Sequence, residues 1–142
     1  MEYDVRVRVQ GAPGETGQVS PLIVDTEGHL AVERGRCALS YYQYEGEEAL
    51  PVKTSIRLER STVAMERSDH TTMVFDRKRP SFHPVLTQSG RLVSMMVVPH
   101  RIEWNQRKGR GTLRLAYDLV YDGRITSNHD ILFEFAPSHG AL

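Results

Sequence analysis

Apolar side chains recur at every second position near both ends of this sequence. The positions are Tyr3, Val5, Val7, Val9, Ile131, Phe133 and Phe135. Because successive side chains of a β-strand point to opposite faces, this period is typical of strands that bury one face. No stretch shows the period of about 3.6 residues that marks a helix. The sequence therefore predicts an all-β protein with little or no helix.

Turn-forming residues separate the alternating segments. The predicted strands are Tyr3–Val9, Leu22–Thr26, Leu30–Glu33, Cys37–Tyr44, Val52–Glu59, Thr62–Arg67, Thr71–Phe75, Phe82–Thr87, Leu92–Val98, His100–Asn105, Thr112–Tyr121 and Ile125–Phe135. The predicted reversals are Glu27-Gly28, Arg34-Gly35, Ser68-Asp69, Ser89-Gly90, Lys108-Gly109 and Asp122-Gly123. Sequential strands joined by tight turns favour an antiparallel meander, and closure removes its exposed edges. We therefore predict a single antiparallel up-and-down β-barrel of about eight to ten strands.

Size and composition limit what the chain can be. Its 142 residues are typical of one domain with a continuous core, so we expect one barrel over 1–142. It carries 18 basic and 18 acidic side chains, and this balance gives no global field to attract nucleic acid or an anionic membrane. The single cysteine, Cys37, excludes an intramolecular disulfide framework and is compatible with a reducing compartment.

Two segments bear on where the protein works. Met1–Asp4 lacks the basic start and apolar run of a signal peptide. The longest apolar stretch, Met95–Val98, is far shorter than the roughly 20 residues that cross a bilayer. We therefore expect a cytoplasmic protein without a membrane partner.

Alternation also predicts which polar and aromatic side chains enter the barrel. Arg67 follows Val63 and Met65 at two-residue spacing, so it belongs to an inward row. The same parity places Tyr41, Gln43, Glu45, His100, Trp104, Tyr117, Tyr121, Ile125, Ser127 and His129 on inward rows.

Arg67 is the most informative of these residues. A buried guanidinium stays charged, so it needs an anion or carbonyl groups as partners. In a structural interpretation, Arg67 pairs with Glu45 or reaches water at the barrel mouth. In a functional interpretation, it receives the carboxylate or phosphate of a small ligand whose apolar part contacts Met65, Trp104 and Tyr117. Both interpretations stay open. The candidate ligand-binding residues are Arg67, Tyr41, Glu45, His100, Trp104, Tyr117 and His129.

The sequence predicts no catalytic site, no metal site and no cofactor. Its six histidines form no recognised metal-ligand motif. The glycines of Gly11–Gly17 are not followed by a P-loop lysine, and no Gly-x-Ser-x-Gly motif is present. Cys37 is interpreted as a small core residue. Acid–base chemistry by Glu45, Glu59 and Asp130 stays open, because spacing does not show whether these carboxylates converge.

Two basic clusters fall at predicted turns. They are Arg77-Lys78-Arg79, and Arg107-Lys108 with Arg110. Solvated charge is normal at such positions, although basic loops also contact phosphates. Proteins that bind single-stranded nucleic acid usually add exposed aromatic residues for stacking, and neither cluster carries one. The sequence therefore favours binding of a small amphipathic or anionic ligand without catalysis. An RNA or protein partner at the basic tips is second, and an enzyme is third.

Several motifs carry a family resemblance. They are Leu39-Ser40-Tyr41, Lys53–Leu58, Glu66-Arg67-Ser68, Met73-Val74-Phe75, Ser89–Leu92 and Gly111–Leu119. Over about Val19 to Phe135 the chain resembles the YwiB-like family of small bacterial proteins. It departs from the family pattern at Gln43, at Asp69 and at Leu86–Gly90. The resemblance implies a calycin-like β-barrel, related to the lipocalins and fatty-acid-binding proteins, in a bacterial cytoplasmic setting. It implies no established activity.

Overall fold

The computed structural model describes residues 1–13, 22–43, 51–68, 72–86 and 89–138. These residues form ten β-strands, and no helix occurs among them. The strands are β1 (Glu2–Pro13), β2 (Leu22–Glu33), β3 (Arg36–Gln43), β4 (Val52–Leu58), β5 (Thr62–Arg67), β6 (Thr72–Asp76), β7 (Ser81–Leu86), β8 (Leu92–Arg107), β9 (Arg110–Tyr121) and β10 (Arg124–Pro137). The same ranges contain no helix of the length and hydropathy that a membrane span requires.

The ten strands form one sheet. Its hydrogen-bonded order is β6-β5-β4-β3-β2-β1-β10-β9-β8-β7, and every ladder is antiparallel. Strands therefore pair with their neighbours in sequence, and the first strand also pairs with the last. The result is a nearly closed up-and-down barrel, which confirms the predicted fold.

The barrel closes at a seam between β6 and β7, which share no named ladder. The Val74 N–H of β6 donates to Nε2 of His83 at 3.0 Å, and the Ser81 hydroxyl donates to the Val74 carbonyl. His83 is only 7% exposed. Two side chains of β7 thus satisfy backbone groups at the edge of β6. The seam therefore leaves fewer unpaired backbone groups with which a strand of another chain could pair.

One predicted reversal is wrong. Glu27-Gly28 lies inside the continuous strand β2, so the predicted strands Leu22–Thr26 and Leu30–Glu33 are one element. A Cβ at Gly28 would lie 2.4 Å from the Ser40 carbonyl oxygen and 2.9 Å from Cγ2 of Val7. The glycine is required because neighbouring strands approach it closely, and not because the chain turns there.

The predicted strands Leu92–Val98 and His100–Asn105 are likewise one strand, β8. Its register against β9 shifts between Pro99 and Arg101, which is the signature of a β-bulge. The break in the sequence pattern therefore marks an irregularity within a strand and not its end.

The tight hairpins are confirmed. Lys108 and Gly109 have φ values of 54° and 81°, and Asp122 and Gly123 have values of 53° and 75°. Two successive positive φ angles are what a type I′ turn needs. Gly35 and Gly90 also have positive φ, at 71° and 83°. Ser68 follows β5 as expected, whereas Asp69 lies outside the described residues.

Side chains from strands all around the barrel fill its centre. The largest fully buried side chains are Phe75, Phe133, Leu30, Leu39, Ile56, Leu58, Leu113, Leu115, Val5, Val7, Val63 and Val97. Interiors packed in this way leave few voids larger than a water molecule. The middle of the barrel is therefore a core, so a ligand has to be sought toward one of its ends.

The antiparallel order divides the connections between two ends. Those after β1, β3, β5, β7 and β9 leave the Arg67 end, which we name after the last residue of β5. Those after β2, β4, β6 and β8 leave the opposite end, which we call the Trp104 end. There the Trp104 indole N–H donates to the Glu59 carbonyl at 3.1 Å, joining β8 to the β4–β5 connection. Tyr3 packs against Gly109, where a Cβ would lie 2.6 Å from its ring. Aromatic side chains thus cover the Trp104 end.

Candidate functional site

Three polar side chains form a row across β3, β4 and β5. Tyr41 pairs with Thr54, and Thr54 pairs with Arg67. Gly28 continues the row on β2, and a Cβ there would lie 3.2 Å from the Cβ of Tyr41. The row faces inward, because Arg67 shares its face of β5 with the fully buried Val63.

The row runs from the buried interior toward solvent. Tyr41 is 5% exposed and Thr54 is 1% exposed. Arg67 is half-buried, and its Nε atom is shielded from solvent. Arg67 also lines a surface pocket of about 370 Å³ with Lys53, Ser55, Glu66, Ser68 and Thr72. It therefore lies at the boundary between the barrel interior and the outside.

The environment of Tyr41 keeps its phenol neutral. Burial raises the Tyr41 pKa, while the nearby Thr54 hydroxyl and the positive charge of Arg67 act in the opposite direction. The Thr54 hydroxyl is close enough to have this effect. Even so, it completes no hydrogen bond of standard geometry with any residue in the described ranges. A buried hydroxyl left in this state costs about 1–3 kcal/mol. The row thus holds unused hydrogen-bonding capacity beside a phenol and a guanidinium.

A second polar group lies on β9 and β10. The Tyr117 ring stacks on His129, with centroids 4.8 Å apart and an interplanar angle of 12°. Phe75 packs against the same tyrosine at 4.8 Å with a tilt of 58°. Oγ of Ser127 lies 2.8 Å from Nε2 of His129. Burial raises the pKa of Tyr117 to about 12, so its phenol also stays neutral at physiological pH.

Both groups belong to the same end of the barrel. Thr54 is near the start of β4, and Tyr41 and Arg67 are near the ends of β3 and β5. Tyr117 lies in the second half of β9, and His129 lies in the first half of β10. All of these positions are on the side of the Arg67 end. The structure therefore gathers four of the predicted site residues, Arg67, Tyr41, Tyr117 and His129, toward one mouth.

The predicted inward position of His100 is wrong. The bulge between Pro99 and Arg101 makes His100 an unpaired residue of β8. Its side chain is 55% exposed, and its Nε2 lies 2.6 Å from Oδ2 of Asp118 on the outer wall. The extra residue of a bulge reverses the face to which every preceding side chain of the strand points. The spacing between His100 and Ile102 therefore did not predict that the His100 side chain points outward.

Two further inward assignments are wrong, one because of a second bulge and one because the residue ends its strand. The register of β10 shifts between Ile125 and Ser127. Ser127 is 8% exposed, whereas Ile125 is 61% exposed and pairs with Val120 on the outer wall. Tyr121, the last residue of β9, is 44% exposed. Neither Ile125 nor Tyr121 lines the interior.

Trp104 is a predicted site residue that does not join the Arg67 row. Trp104 lies at the opposite end, because it follows the β8 bulge toward the last residues of that strand. It cannot contact a ligand held at Arg67. Glu45 lies outside the described residues. Its pairing with Arg67 therefore stays a prediction.

Thr54 belongs to the site, although it is not among the residues predicted from the sequence. A signal was present, because Thr54 alternates with Ile56 and Leu58 and therefore belongs to the inward row of β4. The register between β3, β4 and β5 could not be predicted from the sequence, and this register sets Thr54 between Tyr41 and Arg67.

The chemistry of the site suits recognition of an anion. A guanidinium, a phenol and a hydroxyl supply hydrogen-bond donors, and the guanidinium supplies positive charge. Over the ranges described, no three His, Cys, Asp or Glu side chains gather closely enough to hold a metal ion. Cys37 is 5% exposed, and burial raises its thiol pKa, which disfavours the reactive thiolate.

Comparison with known proteins identifies the family. Residues 7–132 match the family described as "Domain of unknown function (DUF1934)". The fold is similar to that in the crystal structure of the YwiB protein from Bacillus subtilis, with a TM-score of 0.78 and 17% sequence identity over 96% of this chain and 93% of the other. A search of curated proteins gives no match. Because the family match spans well over half of the chain, this protein belongs to the YwiB-like DUF1934 family, as its sequence motifs predicted.

Proposed function

We propose that this protein binds a small anionic or amphipathic ligand at the Arg67 end of the barrel, without catalysing a reaction. The observation that carries the proposal is the Thr54 hydroxyl, which is buried and makes no standard hydrogen bond with any described residue. Buried polar groups in folded proteins almost always have a partner. A ligand atom at this position supplies one.

Each residue of the row has a distinct role in the proposed complex. The Arg67 guanidinium receives a carboxylate or phosphate, with which it forms charge-assisted hydrogen bonds. Tyr41 and Thr54 orient the ligand through their hydroxyl groups. Met65 and Met73, which pack against the core beside this row, contact its apolar part.

The packed centre of the barrel limits the ligand's size. Phe75, Ile56 and Leu39 are fully or almost fully buried. A long acyl chain cannot enter past them without displacing core side chains. We therefore propose a small molecule seated at the mouth, unlike the chain-filled cavity of a typical fatty-acid carrier.

The cellular setting belongs to the same proposal. We propose a bacterial, cytoplasmic protein with a calycin-like relationship, as the sequence resemblance implies. The buried, unpaired Cys37 supports a reducing compartment.

Thermal denaturation with matched probes tests this function. Hexanoate, hexyl phosphate and 1-hexanol share one tail and differ in head group. We expect the two anions to raise the melting temperature and the alcohol to do so much less, because ligands stabilise only the state they bind. Dodecanoate should raise the melting temperature little more than hexanoate does, because the packed core excludes the longer tail.

Three variants assign the effect to the row. Arg67→Gln should abolish the shift caused by hexanoate, and Thr54→Val should reduce it without destabilising the ligand-free protein. The control is Arg101→Gln, which removes an exposed charge on the outer wall. The proposal is wrong if hexanol stabilises as well as hexanoate does, or if Arg67→Gln retains the full shift.

A further inference from the structure

Every connection at the Trp104 end contains or adjoins at least one basic side chain, although Glu59 balances Arg60 in the β4–β5 connection. The cations in or beside these four turns are Arg34, Arg36, Arg60, Arg77, Lys78, Arg79, Arg107, Lys108 and Arg110. They are far apart in sequence, but the antiparallel order brings all four connections to one end. We call this surface the basic end.

Few of these cations are neutralised locally. Arg36 pairs with Glu33 at 2.8 Å, and Arg79 pairs with Asp76 at 3.6 Å. Within the described ranges, the other cations of the basic end form no ion pair. The chain as a whole has zero net charge. The basic end therefore gives an overall neutral protein a directional field that its composition alone does not reveal.

A groove extends the basic end along the outer wall. It has a volume of about 530 Å³ and is lined by residues that include Arg6, Arg8, Arg110, Asn105 and Thr112, with Glu134 also present. Arg6 is held by Asp25 at 2.7 Å. Arg8 and Arg110 form no ion pair with the described residues, so two guanidinium groups at the groove remain available to an anion.

We propose that the basic end binds the phosphate backbone of a nucleic acid. Most of its cations are arginines, whose planar forks match phosphate oxygens in bidentate geometry. Cations spread over several turns can contact successive phosphates, and such contacts bind without reading sequence. This surface is separate from the Arg67 end, so the inference does not rest on the proposed ligand.

The exposed apolar residues argue against an acidic protein as the partner. The large hydrophobic side chains exposed in the described ranges are Met1, Tyr42, Phe82, Leu92, Tyr121 and Ile125. Only Met1 and Phe82 are near the basic end, and Phe82, which is 68% exposed, follows the Arg77–Arg79 turn at the start of β7. Met1 precedes β1, which is not a neighbour of β7 in the sheet, so the two side chains do not form the cluster of anchors on which protein interfaces depend. Tyr3 and Trp104 are partly buried against the core, which leaves Phe82 as the exposed ring for stacking among the described residues of this end. Binding should therefore depend mainly on phosphate contacts and be sensitive to salt.

The test is fluorescence anisotropy with a labelled oligouridine of about 20 nucleotides and with an RNA duplex of the same length, between about 50 and 200 mM salt. Five phosphate contacts to the single strand predict a loss of affinity of roughly 100-fold over this range. The duplex should bind at least as well, because its charge density is higher. Saturating hexanoate should not displace either RNA, since the two sites are separate.

Matched triple variants locate the surface. The change Arg77→Gln, Lys78→Gln and Arg107→Gln should weaken binding by at least tenfold at low salt, and should flatten the logarithmic salt slope by about 2. The control, Lys53→Gln, Arg101→Gln and Arg124→Gln, removes the same charge from other parts of the surface and should weaken binding less than threefold.

Four outcomes would overturn the inference. They are the lack of any RNA binding at the lowest salt, equal weakening by the two triple variants, an unchanged affinity in the Arg77 triple variant, and displacement of RNA by poly-glutamate at equal charge. The last result would instead identify an acidic protein as the partner.

Discussion

At the scale of single residues, the buried tyrosine hydroxyl groups make the stability of the protein depend on pH. Tyr41 and Tyr117 are almost fully buried, and burial raises the pKa of both phenols, that of Tyr117 to about 12. An unfolded tyrosine has a pKa of about 10. The folded state therefore favours the neutral phenol. The resulting contribution to stability is complete below about pH 10 and is lost as the pH rises toward 12.

Tyr117→Phe should remove this alkaline sensitivity. Phenylalanine keeps the packing against Phe75 and His129 but has no proton to lose. Between about pH 10 and 11 the wild-type free energy of unfolding should fall relative to that of the variant, by up to about 1.4 kcal/mol per pH unit. Urea denaturation at a series of pH values measures the difference.

Tyr121→Phe is the control, because this phenol is 44% exposed at the end of β9. Its stability should follow that of the wild type across the same pH range. Parallel curves for the wild type and Tyr117→Phe would show that the Tyr117 phenol ionises as readily in the folded protein as in the unfolded chain. The packing described around Tyr117 would then be incorrect.

At the scale of strands, the distinctive feature is the seam between β6 and β7. Every other neighbouring pair of strands is joined by a backbone ladder, whereas β6 and β7 are joined through the side chains of Ser81 and His83. His83 accepts a hydrogen bond from the Val74 N–H, so this amide depends on one imidazole for its partner. The barrel should therefore open first along this line.

His83→Leu should loosen the seam. Leucine fills much of the same volume but leaves the Val74 N–H unpaired, which should lower the free energy of unfolding by about 1–3 kcal/mol. Hydrogen exchange at the Val74 amide should become much faster, while amides in the β9–β10 ladder change only with global stability. His100→Gln, on the outer wall, is the matched control. Unchanged protection of the Val74 amide in His83→Leu would mean that the seam has another closure.

Strand identity was predictable at this scale, because apolar alternation reports a buried face directly. The failures have particular causes. Gly28 resembles a turn residue, but its role comes from the close approach of β1 and β3, which only the folded register reveals. His100 and Ile125 are displaced by bulges in β8 and β10, and local spacing carries no sign of either bulge.

The candidate site was predictable to the extent that it depends on one strand. Spacing from Val63 was enough to place Arg67 on the inner face. The neighbours of Arg67 depend on pairing between strands, which is why Thr54 was missed. Position along the barrel axis depends on how the strands are staggered around the barrel. Spacing alone therefore did not show that Trp104 and Arg67 lie at opposite ends of the barrel.

The two ends differ in chemistry at the scale of the whole molecule. The Trp104 end is covered by aromatic side chains and surrounded by cations, whereas the Arg67 end contains the polar interior row. A packed core separates them. We therefore propose two independent binding surfaces on one small barrel, a ligand-binding mouth at the Arg67 end and the basic end.

Native mass spectrometry of the protein purified from the cells that naturally express it would detect a small ligand held at Arg67. We expect an additional small mass that is lost on denaturation, that is missing from Arg67→Met, and that is kept by the outer-wall control Arg101→Gln. A wild-type protein that carries no additional mass, or an Arg67→Met variant that carries the same mass as the wild type, would contradict the claim that Arg67 holds a small anionic ligand.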